Sequence, residues 1–239
     1  MSAYMPLSLT ELLRNNPYPG RGIVIGTTPD GRCAVSAYMI MGRSENSRNR
    51  IFVEQDGVVR TEPFVPSRLE DPSLIIYPAV RPWQNRLIVT NGDQTDTVLS
   101  GLKRGQSLEE ALRVRSFEPD APNFTPRISG LLTFADGSFS YEMSILKSGD
   151  EAGTACARYH FAYPPIPGTG HFLHTYQGDG SPLPAFSGEP ERVQMEDDLD
   201  RFTDAVWNAL NADNRISLYV RYTDLEGGAY RSRLINRHQ

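Results

Sequence analysis

The stretch GRGIVIGTTPDGRCAVSAYMIM, residues 20–41, decides the reading of the fold. GIVIGTT and RCAVSAYMIM are apolar, partly β-branched runs separated by the turn Pro29-Asp30-Gly31, and they read as an antiparallel hairpin. The glycines of GRGIVIG imitate a dinucleotide-binding fingerprint. They precede and sit within a strand, however, instead of joining a strand to a helix, so no cofactor is expected there.

The same punctuation recurs along the chain. IFVEQ and VVRTEP flank Asp56-Gly57, RISGLLTF and SFSYEMSIL flank Asp136-Gly137, and RISLYVRYTD and AYRSRLIN flank Glu226-Gly227-Gly228; each is a hairpin signal. LIIYPAV (74–80) and NRLIVTN (85–91) read as further strands, with Pro78 marking an edge or a bulge. ACARYHFAY and HFLHTYQ are strands around a Pro/Gly-rich break at 164–170. Helices are expected at 7–15, at about 93–103, at 108–116 behind a Ser107/Glu110 capping box, and near 196–211. Glu196-Asp197-Asp198 at the start of the last one complements the helix dipole and is read as capping, not metal chemistry. Residues 178–195 read as irregular. There is no internal repeat or linker, so the expectation is one domain over 1–239, of α+β class, with antiparallel sheets covered on their outer faces by helices.

Composition removes several functions. Of 239 residues, 24 are Lys or Arg and 29 Asp or Glu, a net charge of −5 that argues against a general nucleic-acid binder. The longest clearly apolar stretch, 74–80, is far short of the roughly 20 residues of a membrane helix. The first residues have neither a basic n-region nor a long apolar h-region, so a signal peptide is not expected. Cys33 and Cys156 fit no disulfide framework or zinc spacing and read as reduced thiols of a cytoplasmic protein. Only Lys103 and Lys147 are lysines, so the basic groups are otherwise arginines, which suit bidentate phosphate binding as well as reflecting composition.

Four segments hold the polar residues from which a site is assembled. GRSENSRNR (42–50) crowds three arginines, two asparagines and two serines around Glu45, either a solvated loop or an anion clamp. TNGDQTD (90–96) joins a strand to a helix, where backbone N–H groups point outward; good turn chemistry explains it equally. SFEPDAPNFTPR (116–127) carries Glu118, Asp120 and Arg127 in a Pro-rich connection, and a carboxylate against an apolar wall can act as general acid or base. The Gly/Pro-rich stretch 168–190 reads as an ordered lid or a subunit contact. Within it, His171 and His174 fall on opposite faces of a strand, which disfavours a shared metal.

In this order, YPGRGIVIG, the RS…NR loop, the tyrosine of LIIYPAV, TNGDQTD and FEPDAPNFTPRI resemble the archaeal-type IMP cyclohydrolase family, and PLPAFSGEP resembles its bacterial branch. The resemblance spans roughly residues 18–190. It implies a four-layer αββα sandwich like that of N-terminal-nucleophile hydrolases, used without an N-terminal nucleophile. The implied reaction is dehydrative closure of formylated aminoimidazole carboxamide ribotide (FAICAR) to IMP, with a purine ribotide as ligand, no metal and no other cofactor. The resemblance assigns Glu118 as proton carrier, buried against Phe117, Phe124 and the prolines at 119 and 122. Tyr77 and Arg127 donate to the developing oxyanion. Arg43, Arg48 and Arg50, with Ser44 and Asn49, clamp the phosphate or polarise the formyl group. Asn91, Gly92, Thr95, Asp96 and Thr125 hold the base or ribose. A cytoplasmic homo-oligomer, binding neither nucleic acid nor membrane, is expected. Two other readings stand beside this one: an N-terminal-nucleophile amidohydrolase using Ser2, and a non-catalytic purine-nucleotide-binding protein. Where the archaeal branch tends to have a tyrosine, this chain has Phe124.

Overall fold

The computed structural model describes residues 4–69, 72 and 75–238. The hairpin that opens the reading is β1 (Arg21–Thr27) and β2 (Cys33–Met41). It lies at the centre of a six-stranded antiparallel sheet with β10 (Thr169–His174), β11 (Glu191–Gln194), β12 (Arg215–Asp224) and β13 (Tyr230–Asn236), in the order β11-β10-β1-β2-β12-β13. The other seven strands form a second antiparallel sheet in sequence order: β3 (Arg50–Gln55), β4 (Val58–Pro63), β5 (Pro78–Trp83), β6 (Arg86–Thr90), β7 (Arg127–Ala135), β8 (Ser138–Ser148) and β9 (Cys156–Tyr163).

Alternation along the strands sends side chains to two different cores. Ile23, Ile25, Tyr38 and Ile40 of the first sheet meet Phe52, Val80, Val89, Ile128 and Met143 of the second. The intervening Val24, Val35 and Met39 face the other way. They pack with Leu13 of α1 (Leu9–Asn15) and with Phe202 and Val206 of α5 (Leu199–Ala209). On the far face of the second sheet, Ile88, Leu131 and Leu146 pack with Val98 and Leu102 of α3 (Gln94–Lys103) and Leu108 and Leu112 of α4 (Leu108–Leu112). β1 is therefore covered on both faces, which is why its sequence is continuously apolar instead of alternating. Each aliphatic side chain so enclosed contributes about 1.5–3 kcal/mol.

Several sequence expectations need correction. α4 ends at Leu112 and not at 116, because the next apolar residue, Val114, points into solvent. The last helix starts at Leu199, capped by Asp198, whose carboxylate accepts from the Arg201 N–H. The 42–50 stretch is not all loop: Ser44 caps a single turn, α2 (Glu45–Arg48), and Arg50 already begins β3. The strand expected over 74–80 begins only at Pro78, and Leu74 falls outside the described residues. Pro78 lies in an interior strand at a register shift opposite Arg60, so it marks a bulge, not an edge. Thr61 bridges the irregularity: its hydroxyl accepts from the Tyr77 N–H, and its own N–H donates to the Tyr77 carbonyl. Within 178–195 the short β11 pairs with β10; four residues show too little alternation to announce a strand.

Candidate functional site

The starts of β1, β3, β5 and β7 and the ends of β2, β6 and β10 meet at one end of the two sheets. There Tyr18, Arg21, Met41, Ser47, Arg50, Asp120, Thr125 and Tyr176 line a cavity of about 250 Å³, with the exposed Arg43 and Ser44 toward its mouth. Larger depressions exist, including one of about 540 Å³ beside Asn46 and Arg68. The smaller cavity is singled out by its chemistry.

Arg50 is only 1% exposed, and its Nε donates to the Ser47 carbonyl at 2.7 Å, while Nη1 has no partner. Arg21 lies 3.6 Å from Glu118, its Nε likewise unpartnered. Glu118 is 1% exposed, and its Oε1 accepts no hydrogen bond. Buried unpartnered charged atoms are costly and rare in proteins; two belong to lining residues, Arg21 and Arg50, and the third to Glu118, which pairs with Arg21, and together they point to a ligand. Burial pushes the Glu118 carboxyl above its ordinary value, opposed by the attraction of Arg21 and then Arg127. Burial also lowers Arg50, reinforced by the like charge of Arg21. Behind them, the Tyr38 and Tyr77 hydroxyls hydrogen-bond at 2.8 Å, and burial raises Tyr38 well above its usual range.

Glu118 is held by a closed loop, its N–H donating to the Thr125 carbonyl at 2.9 Å. Phe117 and Phe124 pack edge to face on each other at 5.4 Å, Pro119 and Pro122 are exposed, and the charges that face Glu118 are Arg21, Arg127, Asp120 and Arg50. Phe124 lies against Gly153 and is not among the residues lining the cavity, so the hydroxyl it lacks is no loss to this site. Gly92 packs beside the cluster because a Cβ would meet Arg127 Nη1 at 2.7 Å and Gln94 Oε1 at 2.6 Å. Gly20, at φ +76°, is required by the Tyr176 ring, which a Cβ would meet at 2.5 Å.

Other expected residues do structural work. Asn91 accepts from the Ile128 N–H and donates to the Pro126 carbonyl, and Thr95 donates to the Pro78 carbonyl at 2.5 Å. Arg127 donates to Asp93 at 2.6 Å and to Gln94 at 2.8 Å. Arg43 stacks its guanidinium over Tyr18 and is paired with Asp179 at the mouth. Of the expected residues, Arg43, Ser44, Arg50 and Thr125 line the cavity, and three of the others are engaged well outside the Glu118 cluster. Arg48 bonds the Gly42 carbonyl and Asn214, Asn49 clamps Val65 through both its amide groups, and Asp96 is exposed and paired with Arg81. Sequence reasoning missed Arg21, Tyr38 and Tyr176. The available signal was a charged or hydroxylated residue inside, or at the end of, an otherwise apolar strand.

The profile of the family described as IMP cyclohydrolase-like protein matches residues 18–228. The chain belongs to that family. An IMP cyclohydrolase of Methanopyrus kandleri is 34% identical over 116 residues, which are 47% of this chain and 57% of that relative's length. The family match begins at Tyr18 and takes in every residue of the cavity, while α1 and β13 fall outside it. Among the described residues, no group of three or more His, Cys, Asp or Glu is placed to hold a metal ion, and no helix is long and apolar enough to cross a membrane. Ser2, the candidate N-terminal nucleophile, lies outside the described residues.

Proposed function

We propose that the chain is an IMP cyclohydrolase, closing the pyrimidine ring of FAICAR with loss of water. The observation that carries the reading is the buried carboxyl of Glu118, raised by its surroundings and set against two arginines that keep unpartnered donors at one cavity. Ring closure joins the carboxamide nitrogen to the formyl carbon of the same molecule, so the protein's task is to fold the substrate and move protons. The carboxamide nitrogen loses one proton as the C–N bond forms, and the formyl oxygen gains one. The resulting hydroxyl takes a second proton and leaves as water, while the former formamide nitrogen gives one up. Glu118 accepts from nitrogen and returns to oxygen. Tyr77, backed by Tyr38, donates to the developing oxyanion, and Arg50 stabilises its charge.

Arg21, Arg43 and Arg50 against Glu118 and Asp120 leave an excess of one positive charge around the cavity, which suits an anionic ribotide. Arg43 and Ser44 at the mouth, together with Ser47, are assigned the phosphate. Thr125 and Arg127 complete the walls, and Asn91, Gly92 and Thr95 form the rigid floor behind them. The order helix, sheet, sheet, helix supports a single αββα domain of N-terminal-nucleophile-hydrolase type. The reading includes a cytoplasmic homo-oligomer that uses no metal. Purified protein given FAICAR in a spectrophotometric assay is expected to produce IMP. Tight IMP binding without FAICAR consumption would favour the non-catalytic reading instead.

A further inference from the structure

Thr125 fixes the direction of a hydrogen-bond chain that ends in the cavity. Its main-chain N–H donates to Asp120 Oδ1 at 2.7 Å, and its hydroxyl donates to Asp120 Oδ2. A carboxylate only accepts, and a threonine hydroxyl has one proton to give. With that proton committed to Asp120, Thr125 Oγ1 is left to accept from the Tyr176 hydroxyl 2.5 Å away. Tyr176 therefore donates into the chain, and the remaining lone pair of its oxygen is an acceptor. The residue lines the cavity, its ring stacks on Tyr18 with centroids 5.9 Å apart, and Arg21, Asp120 and Glu118 are the charges that face its hydroxyl.

We propose that the Tyr176 oxygen accepts a hydrogen bond from a primary carboxamide N–H, and that Asp120, acting through Thr125, is the positioning residue that keeps it an acceptor. The inference rests on the function proposed above, whose nucleophile is such an amide. The nitrogen that yields a proton to Glu118 must lie beside that carboxyl, which Tyr176 also faces. A carboxamide has two N–H bonds: one is spent on Glu118, and the one retained on nitrogen is held by Tyr176. Holding it turns the nitrogen toward the formyl carbon.

The polarity of the chain makes the test specific. In Asp120→Asn the side-chain oxygen still accepts from the Thr125 N–H, but an amide donor replaces Oδ2. Thr125 then turns its proton onto Tyr176, and Tyr176 points its own into the cavity, donor against donor. A mismatched donor is worse than a missing acceptor. Tyr176→Phe is expected to lower kcat/KM about tenfold, and Asp120→Asn about a hundredfold. The double variant should fall only about tenfold, because no hydroxyl remains to be reversed. Additive losses in the double variant, or wild-type kinetics for Tyr176→Phe, would overturn the inference. If Asp120→Asn fails to fold, Thr125→Val cuts the same link, and its extra loss over Tyr176→Phe must likewise vanish in the double variant. IMP carries the same N–H, so calorimetry with IMP on these proteins reads the chain even if FAICAR is not turned over, which separates failure here from failure of the proposed function.

Discussion

Replacing Glu118 by Gln keeps the shape and one hydrogen-bonding end but removes the proton carrier. At 3.6 Å the attraction between Arg21 and Glu118 is about 5 kcal/mol for an effective dielectric of 20. Burial outweighs it, since the carboxyl is raised, not lowered. A carboxyl so raised can take a proton from nitrogen and return it to oxygen, and positioned general acid–base groups contribute 10²–10⁴-fold. Glu118→Gln is therefore expected to lower kcat by about that factor in the FAICAR assay, with IMP affinity nearly unchanged by calorimetry. The stability consequence has a definite sign. Between the ordinary carboxylate range and its raised value, Glu118 binds a proton in the folded state that the unfolded chain has lost, so wild-type stability falls as pH rises through that window. The Gln variant should lack this slope and be at least as stable at pH 7–8 in thermal melts. Near-wild-type kcat would place the proton carrier elsewhere, and loss of IMP binding would make Glu118 a binding residue.

Arg50→Ala is expected to cost kcat/KM more than Arg43→Ala. Arg50 is buried with a free donor, and loss of a charged hydrogen bond there costs about 1.5–3 kcal/mol. Arg43 is half-exposed and already paired with Asp179, so its loss should act mainly on KM and by several-fold; equal effects would reverse the division between cavity floor and mouth. Asp96→Asn should leave kcat/KM within about twofold, because it breaks only an exposed pair with Arg81; a large loss would return Asp96 to the ligand site. Activity should survive exhaustive chelation, since the dehydration needs only positioning and proton transfer; abolition by chelator with rescue by a divalent ion would refute this.

The hairpins were legible in the sequence because turn chemistry is local: Asp56-Gly57 and Asp136-Gly137 adopt positive φ whatever surrounds them. The crowded 42–50 arginines and Glu118 were legible as polar residues bunched on connections between apolar runs, and the ordered motifs gave them a family. Which of them share a site was decided by tertiary structure. Arg43 and Arg50 reach the cavity while Arg48 does not, because one turn of helix rotates Arg48 toward Asn214. Asp96 sits one turn beyond Asp93, and only Asp93 meets Arg127. Arg21 and Tyr176 are more than 150 residues apart and meet because β1 pairs with β10 in the register Gly22 to His174. Local sequence sets the backbone turn and the strand period. Which polar side chains are buried together depends on strand register and on the face-to-face contact of two sheets, and residues distant in the chain supply both.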